Sequence, residues 1–170
     1  FSGKNGKLAW GSSFSFIDDQ DLYFEKINSA NKNEYLSPSG YKQFSTQKKL
    51  IKVKNNATIS FAVRQTESRV IIPHELYGMQ SIVPDGFLIS LAWTGFKRND
   101  KTLETFVNLM SAKSLNEFKT NILQSNSFNL ILVVADETEI NSVFIGNSPK
   151  RKKENETKGQ VVSPGWKIEN

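Results

Sequence analysis

No cysteine occurs in the 170 residues. That absence removes disulfides, zinc-thiolate sites and thiol nucleophiles together. Histidine is almost as scarce, with His74 alone between Pro73 and Glu75. Serine-histidine-aspartate catalysis takes its base from histidine, and no G-x-S-x-G turn offers an activated serine, so His74 reads as a loop residue. Long hydrophobic runs are missing too. The longest, residues 128–135, falls far short of the roughly 20 apolar residues of a membrane helix. Neither G-x-x-x-x-G-K-[ST] nor G-x-G-x-x-G occurs, so the common phosphate loops are not encoded. An excess of one charge is lacking as well: 22 basic residues face 17 acidic ones along the chain. Nucleic-acid binders gather their charge on one face. The densest basic run here, residues 150–153, follows Pro149, precedes Glu154 and Glu156, and reads as a solvated loop.

What is present suits a globular domain. A hydrophobic share of 38% with 11% aromatics is too apolar for disorder, and 170 residues favour one domain over two. A short strand is predicted over residues 7–10, entered from the turn at Asn5-Gly6, and a second over residues 22–27. Residues 29–41 read as a loop with a turn at Ser37-Pro38-Ser39-Gly40. Ile51 and Val53 lead to a hairpin tip at Asn55-Asn56. Ile59, Phe61 and Val63 then alternate with Ser60, Ala62 and Arg64, the period of a half-buried strand. Residues 73–86 make an irregular connection before a buried strand over residues 87–93. The period then becomes helical. Leu103, Phe106, Val107 and Met110 share one face, with Asp100 as the predicted N-cap. Ser114 and Glu117 form a capping box ahead of Leu115, Phe118 and Ile122. Strands over residues 129–135 and 140–145 follow. The class is α+β: mostly antiparallel strands with an inserted helical hairpin, in four stretches over residues 1–72, 73–101, 102–125 and 128–170.

Among possible constellations, the carboxylate pairs at Asp18/Asp19 and Glu154/Glu156 fall in loops, with nothing to mark a glycosidase pair. Asp18, Asp19 and Asp21 offer hard oxygens suited to calcium, although the cluster reads equally as a solvated acidic turn. Phe14 and Phe16 by themselves read as core.

The order of short motifs says more. Asn5-Gly6-Lys7-Leu8-Ala9-Trp10-Gly11-Ser12-Ser13 is followed by Asp18-x-x-Asp21-Leu22-Tyr23-x-Glu25. Farther on come Leu91-Ala92-Trp93-Thr94-Gly95, Ala112, Asn116-Glu117-Phe118, Asn129, Ala135-Asp136, Gly146 and Pro149-Lys150-Arg151. Together these resemble the penicillin acylase family of N-terminal-nucleophile hydrolases over nearly the whole chain. The resemblance implies an αββα core and an internal piece of the processed β-chain. It also implies a serine nucleophile upstream of Phe1 and an oxyanion-holding asparagine downstream of Asn170, so the piece alone is expected to be inactive.

Carried over residue by residue, the resemblance gives Phe14 the backbone N–H that donates to the oxyanion. A phenylalanine there, where the family commonly has a small residue, narrows the pocket. Phe16 matches an aromatic lining the acyl-group pocket. Asp18, Gln20 (through its carbonyl) and Asp21 match structural calcium ligands, and no organic cofactor is expected. The implied partners are the remaining segments of the β-chain, the α-chain and a small N-acyl substrate, with no nucleic acid and no membrane. Relatives are often periplasmic or secreted, and a piece cut from such a core is expected to self-associate. Two departures stand out: Glu67-Ser68-Arg69 replaces a His-Gly-Pro turn, and Glu137-Thr138-Glu139 replaces an Asn-Gly hairpin. The rival expectations are a non-catalytic α+β binding domain and a calcium-stabilised structural module.

Overall fold

The computed structural model of the chain describes residues 1–74, 76–97 and 99–167. In order run β1 (Ser2–Lys4), β2 (Ala9–Phe14), β3 (Gln20–Lys26), β4 (Glu34–Ser37), β5 (Gly40–Gln43), β6 (Ser45–Ile51), β7 (Ile59–Gln65), β8 (Val70–Ile72) and β9 (Phe87–Trp93). Then come α1 (Thr102–Leu109), α2 (Leu115–Ile122), β10 (Leu130–Ala135), β11 (Ile140–Ile145) and β12 (Ser163–Pro164). The class is α+β, and every strand pairing but β12 with β3 is antiparallel among the described residues. Two compact units emerge, Phe1–Asp19 with Thr94–Pro149, and Gln20–Trp93 with the chain from Lys150 onward.

The first unit is a four-stranded sheet in the order β1-β2-β10-β11 with α1 and α2. Strand alternation puts Leu130, Leu132 and Val134 on one face of β10, where they pack with Leu115, Phe118 and Ile122 of α2 and with Trp10. Asn5 shows why an asparagine heads this unit. Its Oδ1 accepts from the N–H groups of Lys7 and Leu8, while Nδ2 donates to the carbonyls of Met110 and Ala112 after α1. One side chain thus shapes the β1–β2 turn and satisfies carbonyls that the helix end leaves open.

The helices depart from the sequence reading in three ways. The apolar face does not mark the buried side: Leu103, Val107 and Met110 are 79%, 63% and 60% exposed, and the buried positions of α1 are Thr102, Thr105 and Leu109. The threonines are tolerable inside because Thr102 Oγ1 is bonded: it donates to Asp100 Oδ1 and accepts from the N–H groups of Asn126 and Ser127. Asp100 works one residue before the cap position, Lys101, by accepting from Thr102 N–H. Ser114 accepts from Glu117 N–H as the capping box predicts, but Glu117 returns to Lys113 N–H instead of Ser114.

Gly146, just past β11, holds φ +130°, and a Cβ there would collide with the Asn129 side chain. Asn129 Oδ1 accepts from Asn147 N–H at this crossing. Gly146→Ala is therefore expected to cost about 2 kcal/mol, read as a lowered urea midpoint with an unchanged slope.

The second unit carries a six-stranded sheet, β12-β3-β9-β8-β7-β6, and the small hairpin β4–β5. That hairpin replaces the loop expected over residues 29–41, with its turn at Ser37–Gly40. The β6–β7 tip has Asn55 at φ +61°, a conformation asparagine tolerates. β7 is not half-buried: Ile59 and Phe61 are 54% and 40% exposed. Its alternation is real, but among the described residues of this unit no layer covers the strand's first half.

Candidate functional site

The end of β2 is where backbone and apolar surface meet. Phe14 is the last residue of β2, opposite Leu130 of β10. One step on, Ser15 N–H donates to Asn129 O at 3.2 Å. Antiparallel ladders alternate, so if Ser15 points its N–H toward β10, Phe14 points its own away. On that side lies β1, which pairs β2 only as far as Gly11. The Phe14 N–H is thereby directed to the open flank of β2.

Beside this strand end lies a cleft of about 580 Å³, lined by Phe1, Ser12, Ser13, Phe14, Leu103, Phe106, Phe128 and Leu130. Its aromatic wall is continuous, with ring centroids 4.5 Å apart for Phe1 and Phe106 and 5.9 Å for Phe106 and Phe128. Ser12 Oγ donates to Phe1 O at 2.8 Å, which ties the first residue to β2. No charged side chain lines the cleft among the described residues. An apolar slot with a backbone donor at its rim can hold an acyl chain and polarise a carbonyl oxygen.

Phe14 and Phe16 are 70% and 92% exposed, so neither is core. Phe14 lines the cleft, whereas Phe16 is not among its walls and holds φ +53°, an uncommon value outside glycine. Asp18 belongs to the first unit, where its carbonyl lies 3.5 Å from the Ser148 hydroxyl. Gln20 and Asp21 belong to the second and open β3. Asp21 therefore does not sit in an acidic turn. It is 5% exposed, and its carboxylate accepts from Arg151 Nε at 3.1 Å on both oxygens and from Nη2 at 2.8 Å. Arg151, expected in a solvated basic loop, is thus an ion-pair partner. His74 is half-buried in another cleft, beside Arg64, Thr46 and Asn33, with no serine or carboxylate among its described lining.

Sequence reading missed Phe1, Ser12, Ser13, Leu103, Phe106, Phe128 and Leu130 as lining residues. Leu103 and Phe106 carry a signal, an i, i+3 apolar pair on one face of α1, but spacing alone does not say what that face meets.

Over residues 1–170 the chain matches the penicillin amidase family. It is 29% identical over 170 residues to the acyl-homoserine lactone acylase QuiP of Pseudomonas aeruginosa, covering 97% of this chain and 20% of that protein. The acyl-homoserine lactone acylase QuiP of Pseudomonas syringae pv. tomato is 30% identical over 168 residues, covering 97% and 19%. Penicillin G acylase of Escherichia coli is 26% identical over 116 residues, covering 68% and 13%. Among solved structures, the thermostable penicillin G acylase from Alcaligenes faecalis superposes with a TM-score of 0.76 at 20% identity, over 96% of this chain and 28% of that one. This last likeness concerns the fold. The chain spans about a fifth of the length of these acyl-homoserine lactone acylases.

Proposed function

The chain belongs to the penicillin amidase family, and on that premise we propose that it is the acyl-holding part of a larger hydrolase of N-acyl amides. The observation that carries this is the apolar cleft beside the Phe14 N–H at the end of β2. A tetrahedral intermediate formed at the rim would set its oxyanion against that N–H while the acyl chain lies along Phe1, Phe106 and Phe128. A fixed backbone donor needs no reorganisation as charge develops. In this reading the nucleophile is an N-terminal serine outside the 170 residues. Its α-amino group, with an ordinary pKa of about 8, accepts the hydroxyl proton near neutral pH without any histidine.

Phe128 tests the reading because it is 45% exposed and its truncation leaves the buried cluster untouched. In the intact protein that carries this chain, Phe128→Ala is expected to lower kcat/KM for an octanoyl amide about tenfold, mostly through KM, because the lost contact is uniform binding. An acetyl amide, too short to reach the ring, should lose less than about twofold. Equal losses on both substrates, or none on either, would remove the cleft from the acyl path.

A further inference from the structure

The acidic run implies calcium at Asp21 by family resemblance, and the residues around Asp21 do not fit it. Calcium takes 6–8 oxygens at 2.3–2.6 Å. Both Asp21 oxygens already accept from one guanidinium, Nε spanning the two at 3.1 Å and Nη2 lying 2.8 Å from Oδ1. A divalent ion bonded to Oδ1 would stand no more than about 5 Å from Nη2, two like charges in a site where Asp21 is 6% and Arg151 17% exposed. Burial of that degree leaves little water to screen them.

The loop over the pair closes the remaining side. Gly159, at φ +78°, runs so close that a Cβ would collide with Asp21 Oδ1 and lie 2.6 Å from Arg151 Nη2. This approach is built from below. Asn155, 2% exposed, accepts through Oδ1 from Lys158 N–H and from the Thr157 hydroxyl. Those bonds bend the chain so that glycine backbone, and no side chain, meets the ion pair. While Arg151 holds the other side, main chain crowds this one. Among the described residues no cluster of three or more His, Asp or Glu is arranged around a common point to hold a metal.

We propose that in this chain Arg151 takes the place of a divalent cation at Asp21, so that β3 and the segment following Pro149 are joined by an internal ion pair instead of by calcium. The chemistry suits the exchange. A planar guanidinium meets a carboxylate with two parallel donors, and a cation supplied by the chain does not depend on ion supply.

The test uses the intact protein carrying this chain, stripped with a chelator and returned to millimolar calcium chloride, with thermal midpoints read by circular dichroism. Wild type should shift by less than about 1 °C, because a ligand that does not bind the native state adds no stability. Arg151→Met, without calcium, should lower the midpoint by several degrees, about what loss of one partner of a buried pair produces. Calcium should then restore part of the loss, since Asp21 is free to ligate. Arg151→Lys, which keeps the charge but not the paired donors, should fall between, and it serves if the methionine variant does not fold. A calcium shift in wild type that Asp21→Asn leaves intact lies elsewhere in the protein and agrees with the proposal. A shift of several degrees that Asp21→Asn abolishes would overturn it. So would an Arg151→Met protein as stable as wild type without calcium.

Discussion

Purified by itself, the 170-residue chain is expected, on the proposed reading, to turn over N-acyl amides on the order of 10⁶-fold more slowly than the intact protein, the scale on which a missing nucleophile and base are felt. Its amino terminus is Phe1, which has no hydroxyl to attack with. The only histidine lines a cleft without serine or carboxylate among the described residues. The two serines that line the apolar cleft beside β2, Ser12 and Ser13, have no histidine among the described lining, and the Ser12 hydroxyl donates to Phe1 O. A chromogenic N-octanoyl amide, followed through successive purification steps, provides the measurement. Turnover that persists at constant specific activity and disappears with Ser13→Ala would mean that the chain carries its own nucleophile.

Arg69→Met is expected to destabilise the second unit by about 3–5 kcal/mol at neutral pH, the cost of leaving a buried charge uncompensated. Glu25 has 0% exposure, and Arg69 Nε stands 2.9 Å from its Oε1. Arg69 Nε is nonetheless without a well-aligned hydrogen bond, so this contact is chiefly charge against charge, while Arg69 Nη2 donates to Gly165 O at 3.0 Å. Ser90 donates to Glu25 Oε1 at 2.6 Å. The Arg69 guanidinium also lies 4.3 Å from the centre of the Tyr23 ring. Burial raises the Glu25 carboxyl above its ordinary 4.5, against the lowering effects of Arg69 and Ser90. The sign follows from linkage. A carboxyl raised in the folded state contributes stability below its unfolded value, and that contribution is lost as pH rises through the folded value. Removing Arg69 raises the folded value further, so the loss should be large at pH 7 and shrink toward pH 4, where Glu25 is neutral. Urea titrations at both pH values decide this, and Glu25→Gln in the Arg69→Met background should recover part of the deficit. A loss independent of pH would assign Arg69 to packing alone.

Local chemistry carried much of the outline. The strand over residues 87–93, the α2 face of Leu115, Phe118 and Ile122, and the Ser114 cap were legible because each depends on neighbours within a few residues. So was the family, since its motifs keep their order. The face of α1 was not legible: its apolar stripe at Leu103 and Val107 looks like core by periodicity, yet Thr102 and Thr105 are buried, and the Thr102 hydroxyl is bonded inside by Asp100 and by the N–H groups of Asn126 and Ser127, two dozen residues on. The lining of the apolar cleft was hidden because it is assembled across the chain. Phe1, Phe106 and Phe128 meet only once β1, α1 and the start of β10 are brought together. The sequence by itself determined the α+β class, the Ser114 cap of α2 and the carboxylates of the acidic run. Only the tertiary structure decided which charges those carboxylates meet, bringing Arg151 to Asp21 across 130 residues and Arg69 to Glu25. Propensity and spacing act over a few residues, whereas charge pairing and burial are settled by distance in space.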